Sequence, residues 1–257
     1  MDISNITYLL RYCIMFKSIV IIILLIVLLQ VKNLAGPPFD TDDPEPVDYL
    51  HWEFYISSIM EFQHNESNLT LPHIEINYGV IPNLQIHVLA PMEYLHSAIG
   101  TKYGYSSTEL GIKYRFVNES ENLPQIGLFP LVEIPTGNMN EDLSNGGYRF
   151  YLPFWFQKSL GKFTSYCGAG YWFNPGQGNR NWLFTGWEVQ YDFSEIITLG
   201  GEVYYHTPDI QGSKPTAGFN LGGFINPDES NHILFSIGST SGSGRTITGY
   251  LGYQMTI

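Results

Sequence analysis

From residue 51 to the last residue, apolar and polar positions alternate with a period of two. In Thr108–Phe116, Leu110, Ile112, Tyr114 and Phe116 fall on one face, and Glu109, Gly111, Lys113 and Arg115 fall on the other. A strand with one apolar side has this spacing; a helix does not. The pattern recurs where His73, Glu75 and Asn77 interleave with Ile74, Ile76 and Tyr78, and where Gln85 and His87 interleave with Leu84, Ile86 and Val88. It returns where Glu188, Gln190 and Asp192 interleave with Trp187, Val189, Tyr191 and Phe193, and where Glu202 and Tyr204 interleave with Val203 and Tyr205. About twelve segments of about ten residues read this way: residues 51–62, 72–80, 83–93, 107–117, 125–135, 147–157, 162–173, 182–193, 196–206, 215–226, 231–239 and 245–257. Ten residues is the length of a strand tilted across a bilayer, and longer than the ~5–6 usual in soluble sandwiches.

The connections carry a second signal, because longer and shorter ones alternate. Residues 63–71, 94–106, 136–146, 174–181, 207–214 and 240–244 are longer or richer in Gly, Asn and Ser, and between them lie short links such as Val80-Ile81-Pro82 and Ser194-Glu195. Outer-membrane barrels show this asymmetry, with long outer loops and short periplasmic turns. The chain end is a third signal. Ile247, Leu251, Tyr253, Met255 and Ile257 keep the alternation to the last residue, where a strand can close against the first one and remove both sheet edges. This end resembles the C-terminal pattern by which the barrel-assembly machinery recognises bacterial outer-membrane proteins. The fold expected is therefore all-β, an antiparallel up-and-down transmembrane β-barrel of about twelve strands. A soluble β-sandwich would alternate too, but it leaves the strand length, even strand count and loop asymmetry unexplained.

An unbroken apolar run, Ile19–Leu29, precedes the strands, with Arg11 and Lys17 before it. It is too short to span a bilayer and has the length of a signal-peptide core. Ala35, a small residue, ends the segment, so the reading is a signal peptide over 1–35, an acidic Pro-rich segment over 36–50 and a barrel over 51–257. Met15 is an alternative start. Of 12 Lys+Arg and 24 Asp+Glu in 257 residues, the signal takes away Arg11, Lys17, Lys32 and Asp2, leaving 9 and 23 and a net charge of −14. That balance excludes a nucleic-acid partner, which needs clustered bases. One cysteine, Cys167, remains after processing, so no internal disulfide forms.

The segment Ala35-Gly36-Pro37-Pro38-Phe39-Asp40-Thr41-Asp42-Asp43-Pro44-Glu45-Pro46-Val47-Asp48-Tyr49-Leu50-His51-Trp52-Glu53-Phe54-Tyr55 resembles the start of a bacterial family of outer-membrane proteins often labelled transporters, similar to the barrel proteins of meta-pathway phenol-degradation gene clusters. The resemblance implies an outer-membrane location in a Gram-negative cell and a transport role; Leu50 stands where that family often has glycine. Physically, Pro37, Pro38, Pro44 and Pro46 keep the segment extended and out of any ladder. Its five acids lack the spacing and glycine of an EF-hand, so it reads as a solvated tether or a strap across the barrel mouth.

With apolar residues facing lipid, the polar face lines the lumen. The candidate lumen residues are Glu53, Glu75, Glu93, Glu109, Lys113, Arg115, Glu133, Arg149, Glu188 and Glu202. The bases are expected to pair with acids on neighbouring strands, Glu93 and Glu133, in a fixed network, because unpaired buried charges are costly. The aromatic residues Tyr55, Phe129, Tyr151, Trp155, Tyr166 and Trp172 share that face and could form an apolar path. No His-Glu-x-x-His, Gly-x-Ser-x-Gly or Cys-x-x-Cys is present, and Gly238–Thr246 has a hairpin's composition rather than a phosphate loop's spacing. The expectation is a channel, not an enzyme: passive diffusion of a small solute through a charged lumen, with no metal and no cofactor. The alternatives are a barrel hydrolase acting on lipid or peptide and a structural or adhesive barrel.

Overall fold

The computed structural model describes residues 36–138, 143–144, 146–242 and 244–257; the expected signal peptide, with Cys13 and the alternative start, lies outside them. Fourteen strands follow one another: β1 (Trp52–Gln63), β2 (Glu66–Ile81), β3 (Leu84–Ser97), β4 (Gly100–Tyr105), β5 (Thr108–Val117), β6 (Gln125–Leu128), β7 (Leu131–Ile134), β8 (Arg149–Leu160), β9 (Phe163–Phe173), β10 (Trp182–Asp192), β11 (Ile197–His206), β12 (Thr216–Ile225), β13 (Asn231–Ser241) and β14 (Arg245–Thr256). β4 and β5 pair with the two halves of β3, and β6 and β7 pair with the two halves of β8. Each of these couples is one interrupted barrel strand, so twelve antiparallel strands make the wall. Phe129 and Pro130 interrupt the second couple, where proline has no N–H to give to the ladder.

The wall closes between β1 and β14, with Glu53 opposite Thr256 and Phe62 opposite Ile247. Trp52 and Ile257 exchange backbone hydrogen bonds of 2.8 and 2.9 Å at the seam. No edge strand is left at the seam, which removes the aggregation hazard of an open sheet.

The outside is apolar. Ile56, Ile112, Trp187, Leu221 and Ile237 all stand exposed, Ile237 at 65%. Two aromatic girdles bound this band. Trp52, Phe116, Phe163, Phe193 and Tyr253 are exposed near the end that holds the chain terminus, and Phe62, Tyr103, Tyr171 and Phe173 near the other. On β9 the girdle residues Phe163 and Phe173 bound the strand; ten residues rise about 33 Å along a strand. With a tilt of about 40° that is roughly 25 Å along the axis, the height of an outer-membrane apolar band. The protein is an outer-membrane β-barrel. Cys167 is exposed on this outer face, opposite Phe156 and Trp187.

Two expected loops are strands instead. Residues 63–71 and 94–106 have the polar composition of long connections, but β1–β2 turns at His64-Asn65 and β3–β4 at Ala98-Ile99. Asn65 supplies the positive φ of 66° that such a tight turn requires. Backbone pairing continues past the apolar band because it does not depend on side-chain polarity. A ladder closed all round should resist detergent: the folded protein is expected to migrate faster on SDS gels unheated than boiled, whereas identical mobility would be incompatible with this wall.

Candidate functional site

The lumen is occupied by the chain's own N-terminal segment. This corrects the solvated tether or strap: Thr41 is 0% exposed, and Phe39, Asp43, Pro44, Pro46 and Val47 are buried. The reason lies in its backbone. Prolines 37, 38, 44 and 46 carry no N–H, and most of the remaining donors find acceptors. Asp40 and Thr41 each donate 2.8 Å hydrogen bonds to the two oxygens of Glu202. Val47 donates to Gln85 Oε1 at 2.8 Å. Asp43 donates to Asp42 Oδ1 at 2.7 Å, and Glu45 donates to Asp43 Oδ1. From the wall, Ser236 Oγ donates to the Pro38 carbonyl at 2.7 Å. An extended peptide without a ladder is thus satisfied by side chains of the barrel.

Close approach fixes the path. A β-carbon at Gly186 would lie 2.1 Å from Thr41 Oγ1, and one at Gly127 2.9 Å from Pro44 Cβ. Glycine is required where the wall touches the segment. At the entrance, Leu50 adopts φ 66°, a left-handed conformation that favours glycine.

The ten candidate residues separate into groups. Lys113, 6% exposed, reaches Asp42 at 3.0 Å and Asp43 at 3.3 Å. Arg115 donates to Asn83 and Gln125 and approaches Glu45 at 3.4 Å. These two bases therefore meet the N-terminal segment rather than Glu93. The register explains it: Lys113 lies opposite Gln85, while Glu93 lies opposite Gly104 and accepts from Ser106. Glu202 receives the segment's backbone. Glu188 is fully buried, accepts a hydrogen bond from Gln190, and leaves Oε2 without a partner among the described residues. Arg149 pairs with Glu133, its direct cross-strand neighbour, with Nε at 3.1 Å. Glu75 and Glu109 flank His87 at 3.4 and 3.1 Å. Glu53 accepts from Tyr55 at 3.1 Å.

Neutral residues omitted from the candidates prove equally involved: Gln85, Asn220, Gln157 and Ser236 all bond the N-terminal segment. Their signal was their place on the inward face, which period two gives for amides as well as for charges.

The aromatic candidates fall mainly on one side. Phe129, Leu131, Tyr151, Trp155, Phe184 and Tyr204 form a buried cluster on the wall from β6 to β11. Beside it, Tyr151 stacks on Trp172 (4.6 Å), Trp172 on Trp182 (5.5 Å), and Trp182 lies 5.2 Å from His206. Arg149 sits 5.4 Å from the Trp172 ring. Tyr55 stands apart on β1, and Tyr166 lies opposite Glu188 on β9. The wall from β1 to β5 carries Glu61, His73, Glu75, His87, Glu93 and Glu109 instead.

A cavity of about 130 Å³ remains between the segment's tip and the wall, lined by Asp40, Glu61, His73, Tyr204, Asn220 and Tyr250 among others. It has room for several waters. Asp40 lines this cavity, part of its surface exposed and its carboxyl among the lumen acids. Removal from bulk water, then the neighbouring carboxylates of Glu202 and Glu61, push its carboxyl up to about 7.

No protein-family model and no curated protein matches the sequence. Solved structures do. An outer membrane channel from Pseudomonas putida F1 superposes with a TM-score of 0.72 at 13% identity, over 85% of this chain and 100% of that one. The KdgM porin, in complex with disordered oligogalacturonate, superposes with a TM-score of 0.53 at 12% identity, over 79% of this chain and 98% of that one. The neighbours are channels and porins, and at these identities the likeness is one of fold.

Proposed function

We propose that the protein is a passive channel for small ring-bearing solutes, held closed by its N-terminal segment. The observation that carries this reading is the two-sided lumen: a continuous aromatic stack on one wall and carboxylates with histidines on the other. A ring passing along the stack exchanges water for apolar contact, and its hydroxyl or ammonium group faces the acids. The acid surplus disfavours polyanionic solutes such as acidic sugars. No energy source is required, because diffusion down a gradient follows from an opened lumen. The family resemblance of residues 35–55 supports the same role, with aromatic catabolic substrates as one source of such rings.

A hydrolase is less well supported. His87 faces acceptors at both nitrogens, Asn77 Oδ1 at 2.8 Å and Glu109 at 3.1 Å, so neither nitrogen is placed to take a proton from a hydroxyl.

Planar-bilayer recording tests the channel. Ion current is expected, and benzyl alcohol or phenethylammonium should block it at lower concentration than their ring-free, chain-only counterparts. Replacing Trp172 and Trp182 together by Ala should weaken that block about tenfold, on the scale of ring stacking at ~0.5–1.5 kcal/mol per pair. Silence at high protein load, even with the N-terminal segment removed, would end the channel reading; equal block in the Ala variant would end the role of the stack.

A further inference from the structure

We infer that the chain is cut between Ala35 and Gly36, and that the new α-ammonium of Gly36 is a buried cationic anchor among the lumen acids. Gly36 is buried, although it begins the described N-terminal segment. It lies past the part of that segment that docks on Glu202, with Ser236 in the middle of β13 bonding Pro38 two residues away. A β-carbon on Gly36 would sit 3.2 Å from Asp42 Oδ1 and 3.7 Å from Asp43 Oδ2. The nitrogen shares that Cα, which brings it within a few ångströms of the same two carboxylates. The turn is fixed by Phe39 N–H donating to the Gly36 carbonyl at 3.2 Å.

Charge points the same way. Asp43, Glu188 and Glu202 are buried along the segment's path with Asp40, Asp42 and Glu45 beside them, and Lys113 and Arg115 are the bases that reach it among the described residues. Glu188 keeps one buried oxygen without a partner among the described residues and feels both Asp42 and Asp43. Buried carboxylates in excess need a cation, and a terminal ammonium brings one without a side chain that the space would have to hold. At Gly36, φ is +96°, so a glycine suits the position before cutting and its amine is unobstructed by a β-carbon afterwards.

Attachment is the alternative, and it is physically poor. The run Ile19–Leu29 contains no polar side chain to meet lumen acids. The step is hydrolysis by a signal peptidase: water adds across the Ala35–Gly36 amide, the C–N bond breaks, Ala35 leaves as a carboxylate, and Gly36 keeps the nitrogen, protonated at neutral pH.

Wild-type protein from outer membranes suffices for the test. Intact mass and N-terminal sequencing should give a chain beginning at Gly36. An amine-reactive acetylating reagent should then label the Gly36 amine about tenfold or more slowly in the folded barrel than after boiling, as expected for a group reached only through local opening. Inserting Ala-Ala after Ala35 moves the amine away, and single-channel current should rise as the segment loosens; unheated gel mobility reports that the barrel still forms. A different first residue overturns the cut. Equal labelling of folded and boiled protein, or an inserted variant with unchanged current and a folded barrel, overturns the anchor. These outcomes do not depend on which solute passes.

Discussion

Replacing Lys113 by Met should open the channel while leaving the barrel intact. Lys113 projects from β5 into the lumen, is 6% exposed, and holds Asp42 and Asp43 of the N-terminal segment at 3.0 and 3.3 Å. Its ammonium also lies 4.9 Å from the Phe129 ring, which adds a cation–π contact. Methionine keeps the length of the side chain and removes the charge, so two carboxylates are left without it. Breaking a buried ion pair from one side costs about 3–5 kcal/mol. At about 1.4 kcal/mol per factor of ten, the docked population relative to the undocked one falls by about two to three and a half powers of ten. The wall itself loses nothing comparable, because its ladder bonds are between backbones. The measurement is open probability in planar bilayers, paired with proteolysis of the N-terminal segment. Lys158→Met is the control. Lys158 lies at the barrel rim, where it meets Glu119 at 3.1 Å and is about a third exposed, and such pairs contribute at most about 1 kcal/mol. A Lys113→Met channel as closed and as protease-resistant as wild type would show that these ion pairs do not hold the segment.

The wall was legible because one physical rule governs all of it. A strand between lipid and lumen must alternate, and Leu110, Ile112 and Tyr114 against Glu109, Gly111 and Lys113 display that requirement in a single line of sequence. The rule also sorts side chains into inside and outside, which is why the charged lumen candidates and the apolar band follow from the same pattern. It is silent on strand ends beyond the bilayer, where Ser67-Asn68-Leu69-Thr70 looks like loop by composition yet pairs with both β1 and β3.

The contents of the lumen were not legible, and the reason is contact distance along the chain. Glu202 and Thr41 are 161 residues apart, and Ser236 and Pro38 are 198 apart. Prolines 37, 38, 44 and 46 state that the segment cannot join a ladder, but a solvated tether and a lumen plug satisfy that statement equally. What separates them is the set of acceptors waiting on the wall. Those acceptors include amides such as Gln85, which carry no charge to attract notice. Lys113 illustrates the same gap: the alternation gives its face, whereas the register that puts Gln85 rather than Glu93 opposite it appears only once the strands are paired.

Asp40 should make the closed state depend on pH, with the channel tighter in acid and looser in base. Its carboxyl sits with Glu202 and Tyr204 on β11, Asn220 on β12 and Glu61 on β1, while His73 on β2 lines the adjoining cavity. Burial and the facing carboxylates raise it from 3.8 to about 7 when the segment is docked. Undocked, it returns toward its ordinary value. The docked state therefore binds the extra proton, so stability fully present below about 3.8 is lost progressively as pH rises and is gone above about 7. Open probability recorded from about pH 5.5 to about 8.5 should climb up to about 7 and level off above it. The terminal ammonium of Gly36 would act in the same direction at its upper end, since an α-amine ordinarily loses its proton near 7.7–8.0. Asp40→Asn separates the two. The amide cannot ionise, keeps its place opposite Asn220, and removes one of the facing charges, so the step near neutrality should vanish and the channel stay closed to higher pH. A step of undiminished size in Asp40→Asn, or closure rather than opening as pH rises, would rule Asp40 out as the group that couples proton loss to release of the segment.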